Sequence, residues 1–338
     1  MVETQQSVDY EKGIEYMKKT CDRPTDKNYP LHASYPKNLM IEVTNACNLK
    51  CIMCGNRTMK RKRGFMDMNT YRLVLENARE IGIEMVGLYT TGETFLHPKA
   101  FDFIKLAKEM GFKYVYTDTN GIPLDEERIN KIIDSGLDSI KFSIDAASKE
   151  TYEKIRVGGD FDVLYKNVKM LRKVRDRKKS KLKIYASFIL TNENYDELKK
   201  FKEFWKGLID EVVVFVIRNQ SSHQMEEFDA LIQEEIKDKI IETKDRMTKE
   251  GKYCNRLWNR IIVMYDGKFT ICPEDFEAEM VYGDIHNESM REAWNNEKMK
   301  KFRLMFKTEN FDLAPRCKTC NTYIDDSQII EERLKNDR

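Results

Sequence analysis

Between residue 39 and about residue 219 the chain alternates short, nearly continuous apolar runs with longer segments whose apolar residues recur every three to four positions. The runs at 39–43, 85–90, 114–119, 139–144, 182–189 and 212–217 predict strands. The segments at 69–81, 98–110, 125–134, 161–177 and 193–206 predict amphipathic helices, with a shorter one over 149–154. Gly82, Gly111 and Gly136 stand just past three of these, where a left-handed cap residue is wanted. Six β-α repeats with mostly apolar strands imply an α/β fold, a parallel sheet covered by helices, either doubly wound or a partial barrel. Both architectures gather reactive groups at the C-terminal ends of the strands.

The pattern changes outside this stretch. Residues 1–38 carry Pro24, Pro30 and Pro36 among polar residues, which predicts a short helix over 8–20 and an irregular lead-in. A helical connector is expected over 221–253, and a second unit over 254–325, opening at Cys254. In that unit two apolar runs, 260–265 and 268–272, flank Asp266-Gly267, a strong hairpin signal. Residues 290–306 have helical periodicity, Cys317 and Cys320 follow, and 326–338 form a charged tail.

Composition narrows the class of protein. The 338 residues are 41% hydrophobic and 34% charged, as in a soluble globular protein with a heavily charged surface. Lys plus Arg is 59 against 57 for Asp plus Glu, so net charge points to no partner. The basic runs 60–63 and 175–183 read as solvated faces, and a nucleic-acid partner is not expected. The first residues lack the apolar core of a signal peptide, and no apolar stretch approaches the roughly 20 residues of a membrane span. Eight cysteines in such a chain point to metal binding in a reducing cytoplasm rather than to disulfides.

Those cysteines carry the chemistry. Cys47, Cys51 and Cys54 form a Cys-x3-Cys-x2-Cys triplet directly after the first predicted strand. Three thiolates on one loop can hold three irons of a cubane [4Fe-4S] cluster and leave the fourth open, whereas electron-transfer clusters normally close all four with cysteine. A structural zinc site wants four protein ligands, and a disulfide reading suffers from the odd count. Cys254, Cys272, Cys317 and Cys320 supply four more thiolates, suited either to a fully closed cluster or to a four-cysteine zinc site. Cys21 is left over in the lead-in.

The triplet after a first strand resembles the signature of the radical S-adenosylmethionine (SAM) superfamily. Thr91-Gly92-Glu93 resembles that superfamily's Gly-Gly-Glu motif, with Thr91 in place of the first glycine. The resemblance implies that Gly92 and Glu93 hold the amino group of SAM, a cation for which a carboxylate is suited. It likewise brings Asn120, Ser143, Asp145 and Arg156 to the ribose and carboxylate of SAM, and Met53 to the adenine. Ser, Asp and Asn also end strands for turn reasons alone. The second cysteine set is similar to the shortened, "twitch" form of the SPASM extension, with one auxiliary [4Fe-4S] cluster. The implied fold is a partial (β/α)6 barrel with a small C-terminal hairpin-plus-helix unit.

The resemblance also implies a reaction. SAM on the open iron is cleaved to a 5′-deoxyadenosyl radical that abstracts hydrogen from a C–H bond, with electrons from a flavodoxin- or ferredoxin-type donor. A closed auxiliary cluster suits electron acceptance, as in twitch-type aminocyclitol dehydrogenases. The expected activity is therefore oxidation of a sugar- or aminocyclitol-like small molecule to a ketone, with Tyr89 and Arg218 as substrate or base contacts. The alternatives are peptide crosslinking or oxidation, radical epimerisation or elimination, and a non-enzymatic zinc or iron–sulfur scaffold. The lead-in before residue 39 is short for a leader-peptide-binding domain, and no spare cysteine near the barrel offers itself as the hydrogen donor of an epimerase.

Overall fold

A computed structural model describes residues 29–219, 229–251, 254–321 and 329–330. The expected helix over 8–20, Cys21 and nearly all of the charged tail lie outside the described residues.

Six parallel strands carry the first part of the chain: β1 (Asn38–Ile41), β2 (Met85–Gly87), β3 (Tyr114–Thr119), β4 (Ser139–Ser143), β5 (Lys183–Leu190) and β6 (Glu211–Val216). They pair in the order of the sequence, each beside the next. A doubly wound sheet would reverse direction partway; unbroken sequential order is the winding of a barrel. Between the strands run α1 (Met68–Glu80), α2 (Ala100–Glu109), α3 (Glu126–Asp134), α4 (Lys149–Ile155), α5 (Phe161–Arg177) and α6 (Leu198–Trp205). Their starts follow from local chemistry. The side chains of Asp67, Asp125, Ser148 and Asp160 each accept a backbone N–H of the first helical turn of α1, α3, α4 and α5.

The last of these helices departs from the sequence pattern, which predicts it from 193 onward. Asn194 instead folds the segment into a turn. Its Oδ1 accepts from Thr191 N at 2.8 Å, and its Nδ2 donates to the carbonyls of Asp145 and Ile189, each at 2.8 Å. An Asn side chain that bonds nearby backbone in this way competes with helix.

The C-terminal unit continues the same sheet. After the connector helix α7 (Glu234–Lys249) and a short α8 (Arg256–Asn259), strand β7 (Arg260–Val263) pairs parallel with the outer side of β1, Leu39 opposite Ile261. β8 (Lys268–Thr270) and β9 (Val281–Asp284) then add antiparallel. The Asp266-Gly267 turn is where the sequence puts it, with Gly267 at φ +86°; β9 is a strand it does not predict. The helix expected over 290–306 is two, α9 (Met290–Ala293) and α10 (Glu297–Thr308). The break has a cause. Asn295 Oδ1 accepts from Ala33 N and from Arg303 Nη1, and Asn296 caps α10 through Met299 N at 2.8 Å. α11 (Arg316–Thr319) completes the described elements of this unit.

One apolar core runs through both parts, from Leu39 and Phe142 to Phe269, Trp294 and Phe306.

Candidate active site

The loop after β1 carries the cysteine triplet out over the C-terminal ends of the strands. It rests on the segment around α4: Ile52 N–H donates to Ile155 O at 3.0 Å and Lys50 N–H to Val157 O at 2.8 Å. Leu49 N–H points at Cys47 Sγ (3.5 Å), and Arg156 Nη1 at Cys51 Sγ (3.4 Å). Burial pushes the Cys47 thiol up to about 11, and burial together with neighbouring Cys51 pushes Cys54 up to about 12. Buried, crowded thiols such as Cys47 and Cys54, which resist ionisation by themselves, are suited to a bound cation, which ionises its thiol ligands outright. Among the described residues no three Cys, His, Asp or Glu side chains close on the point of a single ion. A cubane does not ask them to, because it spreads its ligands around its own body. The donor set therefore fits a cluster held by Cys47, Cys51 and Cys54.

Thr91, Gly92 and Glu93 follow β2 and are stitched to this loop. Glu93 N–H donates to Ala46 O at 2.9 Å. A Cβ on Gly92 would stand 2.3 Å from Thr44 O and 2.7 Å from Ala46 O, so the approach requires glycine. Thr91 is not a passive replacement. Its hydroxyl donates to the buried Glu42 carboxylate, which Arg61 pairs at 2.6 Å.

Glu93 is 3% exposed and accepts from Thr119 Oγ1 (2.8 Å), Asn120 N (2.7 Å) and Phe95 N (3.1 Å). Burial outweighs these donors and raises its pKa to about 7. A carboxylate has about four acceptor sites, so room remains for one further donor such as an ammonium. Asn120 Nδ2 donates to Asn48 Oδ1 at 2.9 Å and comes within 4.0 Å of Cys47 Sγ. Glu93, Asn120 and Cys47 thus share one corner.

Asp145 and Arg156 pair with each other. Asp145 is fully buried, and its second oxygen accepts from Ile189 N at 2.8 Å. Burial raises its pKa while Arg156 opposes the rise. The arrangement fixes the guanidinium that touches Cys51. Ser143 ends β4, half-buried, opposite Ser187.

The second cysteine set gathers around one guanidinium. Arg256, two residues beyond Cys254, donates from Nη1 to Cys272 Sγ at 3.3 Å. Its Nη2 reaches Glu274 Oε1 at 3.4 Å, and Glu274 N–H also donates to Cys272 Sγ, at 3.4 Å. Burial, then Cys320, Cys272 and Cys254, push the Cys317 thiol well up. Burial raises Cys254 too. Four close-set thiols fit a cluster with every iron closed.

A cavity of about 550 Å³, within the usual range for small-molecule sites, is lined by residues of the first set and by neighbours of the second. Met53 and Cys54 face it from the first set; Arg256, Pro273 and Glu274 face it from the second. Tyr89 and Arg218 are also on its wall, whereas Glu93, Asn120, Asp145 and Arg156 do not line it. Among the wall residues that escape the sequence reading are Asp118 and Lys141, which form an ion pair at 2.9 Å. Lys141 lies over the Tyr89 and Phe215 rings, 5.7 and 5.4 Å from their centroids. A lysine as the one charged residue inside the strand run 139–144 is the signal that could have found them. Arg256 had no such signal.

Comparison with known proteins places the fold. Residues 41–204 match the radical SAM superfamily, and residues 254–321 match an iron-sulfur cluster-binding domain, SPASM. A "tungsten-containing aldehyde ferredoxin oxidoreductase cofactor-modifying protein" of Pyrococcus furiosus is 30% identical over 149 residues. That match covers 43% of this chain and 42% of the relative, so the chain spans less than half the length of such curated relatives. Among solved structures, BtrN in complex with AdoMet and 2-DOIA has a TM-score of 0.55 at 20% identity, over 86% of this chain and 94% of that one. Streptococcus suis SuiB bound to precursor peptide SuiA has a TM-score of 0.66 at 14% identity, over 93% of this chain and 73% of that one. These likenesses show the fold.

Proposed function

The chain belongs to the radical SAM superfamily, with a SPASM region, [4Fe-4S] clusters and SAM as cofactors, and from that premise we propose that it oxidises a hydroxyl-bearing small molecule such as a sugar or aminocyclitol. The observation that carries this reading is a cavity bordered by Cys54 of the first set and by Arg256, Pro273 and Glu274, the close neighbours of Cys254 and Cys272 in the second. When bound, SAM and the clusters supply a radical that takes a hydrogen atom from the substrate and an acceptor for the electron that must leave afterwards. The protein does the rest. Cys47, Cys51 and Cys54 hold the first cluster, and Glu93 with Asn120 orients the amino end of SAM. Cys254, Cys272, Cys317 and Cys320 hold the auxiliary cluster. On the cavity wall Tyr89 and Arg218 contact the substrate. Asp118, paired with Lys141, accepts the hydroxyl proton. A flavodoxin- or ferredoxin-type protein is the proposed electron donor. Among the described residues no helix is long and apolar enough to cross a membrane.

A second reading, modification of a peptide, draws on one feature. β6 ends the strand order, and its Val212–Phe215 stretch forms a wall of the cavity, where an extended chain could lie. SuiB is bound to a precursor peptide in its structure.

The test removes the acceptor. With dithionite and a panel of polyols and aminocyclitols, the Cys317→Ala/Cys320→Ala enzyme should still form 5′-deoxyadenosine but make at least tenfold less ketone than wild type. Ketone formation at the wild-type level would refute the role of the second set. Stimulation of 5′-deoxyadenosine formation by peptides alone would replace the first reading with the second.

A further inference from the structure

Each cysteine set contains one arginine that donates to a thiol sulfur and is held by a carboxylate. In the first set Arg156 reaches Cys51 and is paired with Asp145. In the second, Arg256 reaches Cys272 and is paired with Glu274. The two differ in what else they touch. Asp145 is fully buried, and neither it nor Arg156 borders the cavity, whereas Arg256 and Glu274 both do. Their side chains are only 11% and 18% exposed, so solvent screens their charges weakly.

We infer that Arg256 sets the reduction potential of the auxiliary cluster, acting from the wall of the substrate cavity, with Glu274 as its counterweight. The inference rests on the proposal that the second cysteine set holds a redox cluster. Reduction adds one negative charge to the cluster. A guanidinium hydrogen-bonded to a ligand sulfur stabilises that added charge, and hydrogen bonds to sulfur, net charge and exposure are the protein's levers on cluster potential. The Glu274 carboxylate partly cancels the guanidinium, so the two residues pull in opposite directions. Arg256 is thus a positioning residue for electron transfer out of the cavity, and its effect exists before any substrate binds.

The experiment is a redox titration of the anaerobically reconstituted full chain, followed by electron paramagnetic resonance, without substrate. Iron and sulfide content is measured first, and the Cys317→Ala/Cys320→Ala protein supplies the spectrum of the first cluster alone. Arg256→Gln should weaken the electron affinity of the auxiliary cluster about tenfold, which for a one-electron couple is a potential about 59 mV lower. Arg256→Lys should fall between it and wild type, and Glu274→Gln should shift the potential upward. The first cluster should not move in any of them. An unchanged or higher potential in Arg256→Gln, with the auxiliary cluster intact, overturns the inference. Should that variant lose its cluster, an unshifted or lower potential in Glu274→Gln overturns it instead. Wild-type protein with a single cubane, or with zinc in the second set, would sink the redox role of the second set itself, and the inference with it.

Discussion

Glu93 shows what one buried side chain does at this site. Three donors from three neighbours orient it, yet burial holds its pKa near 7. If Glu93 binds the ammonium of SAM, the ionised form is the one that binds. A carboxylate whose pKa is raised is neutral below that value, so the affinity of the reconstituted protein for SAM should strengthen between about pH 6 and pH 8. Glu93→Gln should weaken binding about tenfold or more and flatten the profile. Equilibrium dialysis with labelled SAM reads both effects; a wild-type profile that is flat across that interval would remove Glu93 from the ammonium. Thr91 teaches the complementary lesson. In the sequence it is only a departure from Gly-Gly-Glu, while in the structure its hydroxyl closes on Glu42, a residue 49 positions away.

At the scale of elements, the loops after β1 and β2 form one assembly because their backbones touch at Gly92. Gly92→Ala would force Thr44 and Ala46 away from their places and move the start of the cysteine loop. The expected cost is about 1–3 kcal/mol of stability, as for other overpacked sites. The iron content of the first cluster should fall while that of the second stays. Chemical denaturation, and iron analysis of Gly92→Ala in both the wild-type and the Cys317→Ala/Cys320→Ala backgrounds, would measure these effects; full iron retention in the latter would show that the loop tolerates the methyl. Element starts were legible wherever a capping residue preceded an amphipathic run, as at Asp67, Asp125 and Asp160. They were not legible where an Asn bonds distant backbone. Asn194 and Asn295 reshape predicted helices through Asp145 and Ala33, partners that local periodicity cannot see.

For the molecule as a whole, the pairing of β7 with β1 matters most. Leu39 and Met40 lie between β2 on one side and Ile261 and Ile262 on the other, and Ile41 pairs Val263. Trp294 is fully buried and donates to Ser34 O, and Arg303, also fully buried, donates to Leu31 O and Leu257 O. The cluster-bearing C-terminal unit is therefore part of the barrel's own core. A chain cut after residue 253 should expose the edge of β1 and aggregate, and the full apoprotein should melt in one transition by calorimetry. A soluble truncated chain with native-like circular dichroism, or two separated transitions, would contradict this.

The sequence by itself determined the repeat of strands and helices, the two cysteine sets, the Gly-Glu motif and the hairpin at Asp266-Gly267. These are local patterns, set by side-chain periodicity, turn conformation and thiol spacing, and each can be read within a few neighbouring residues. Only the tertiary structure decided that the strands wind in sequential order, that β7 joins β1, and that one cavity reaches from Cys54 to Arg256 and Glu274. It alone placed Asp118 beside Lys141 and Arg256 on Cys272. Such contacts depend on which apolar faces bury one another, a choice made by the packing of the whole chain.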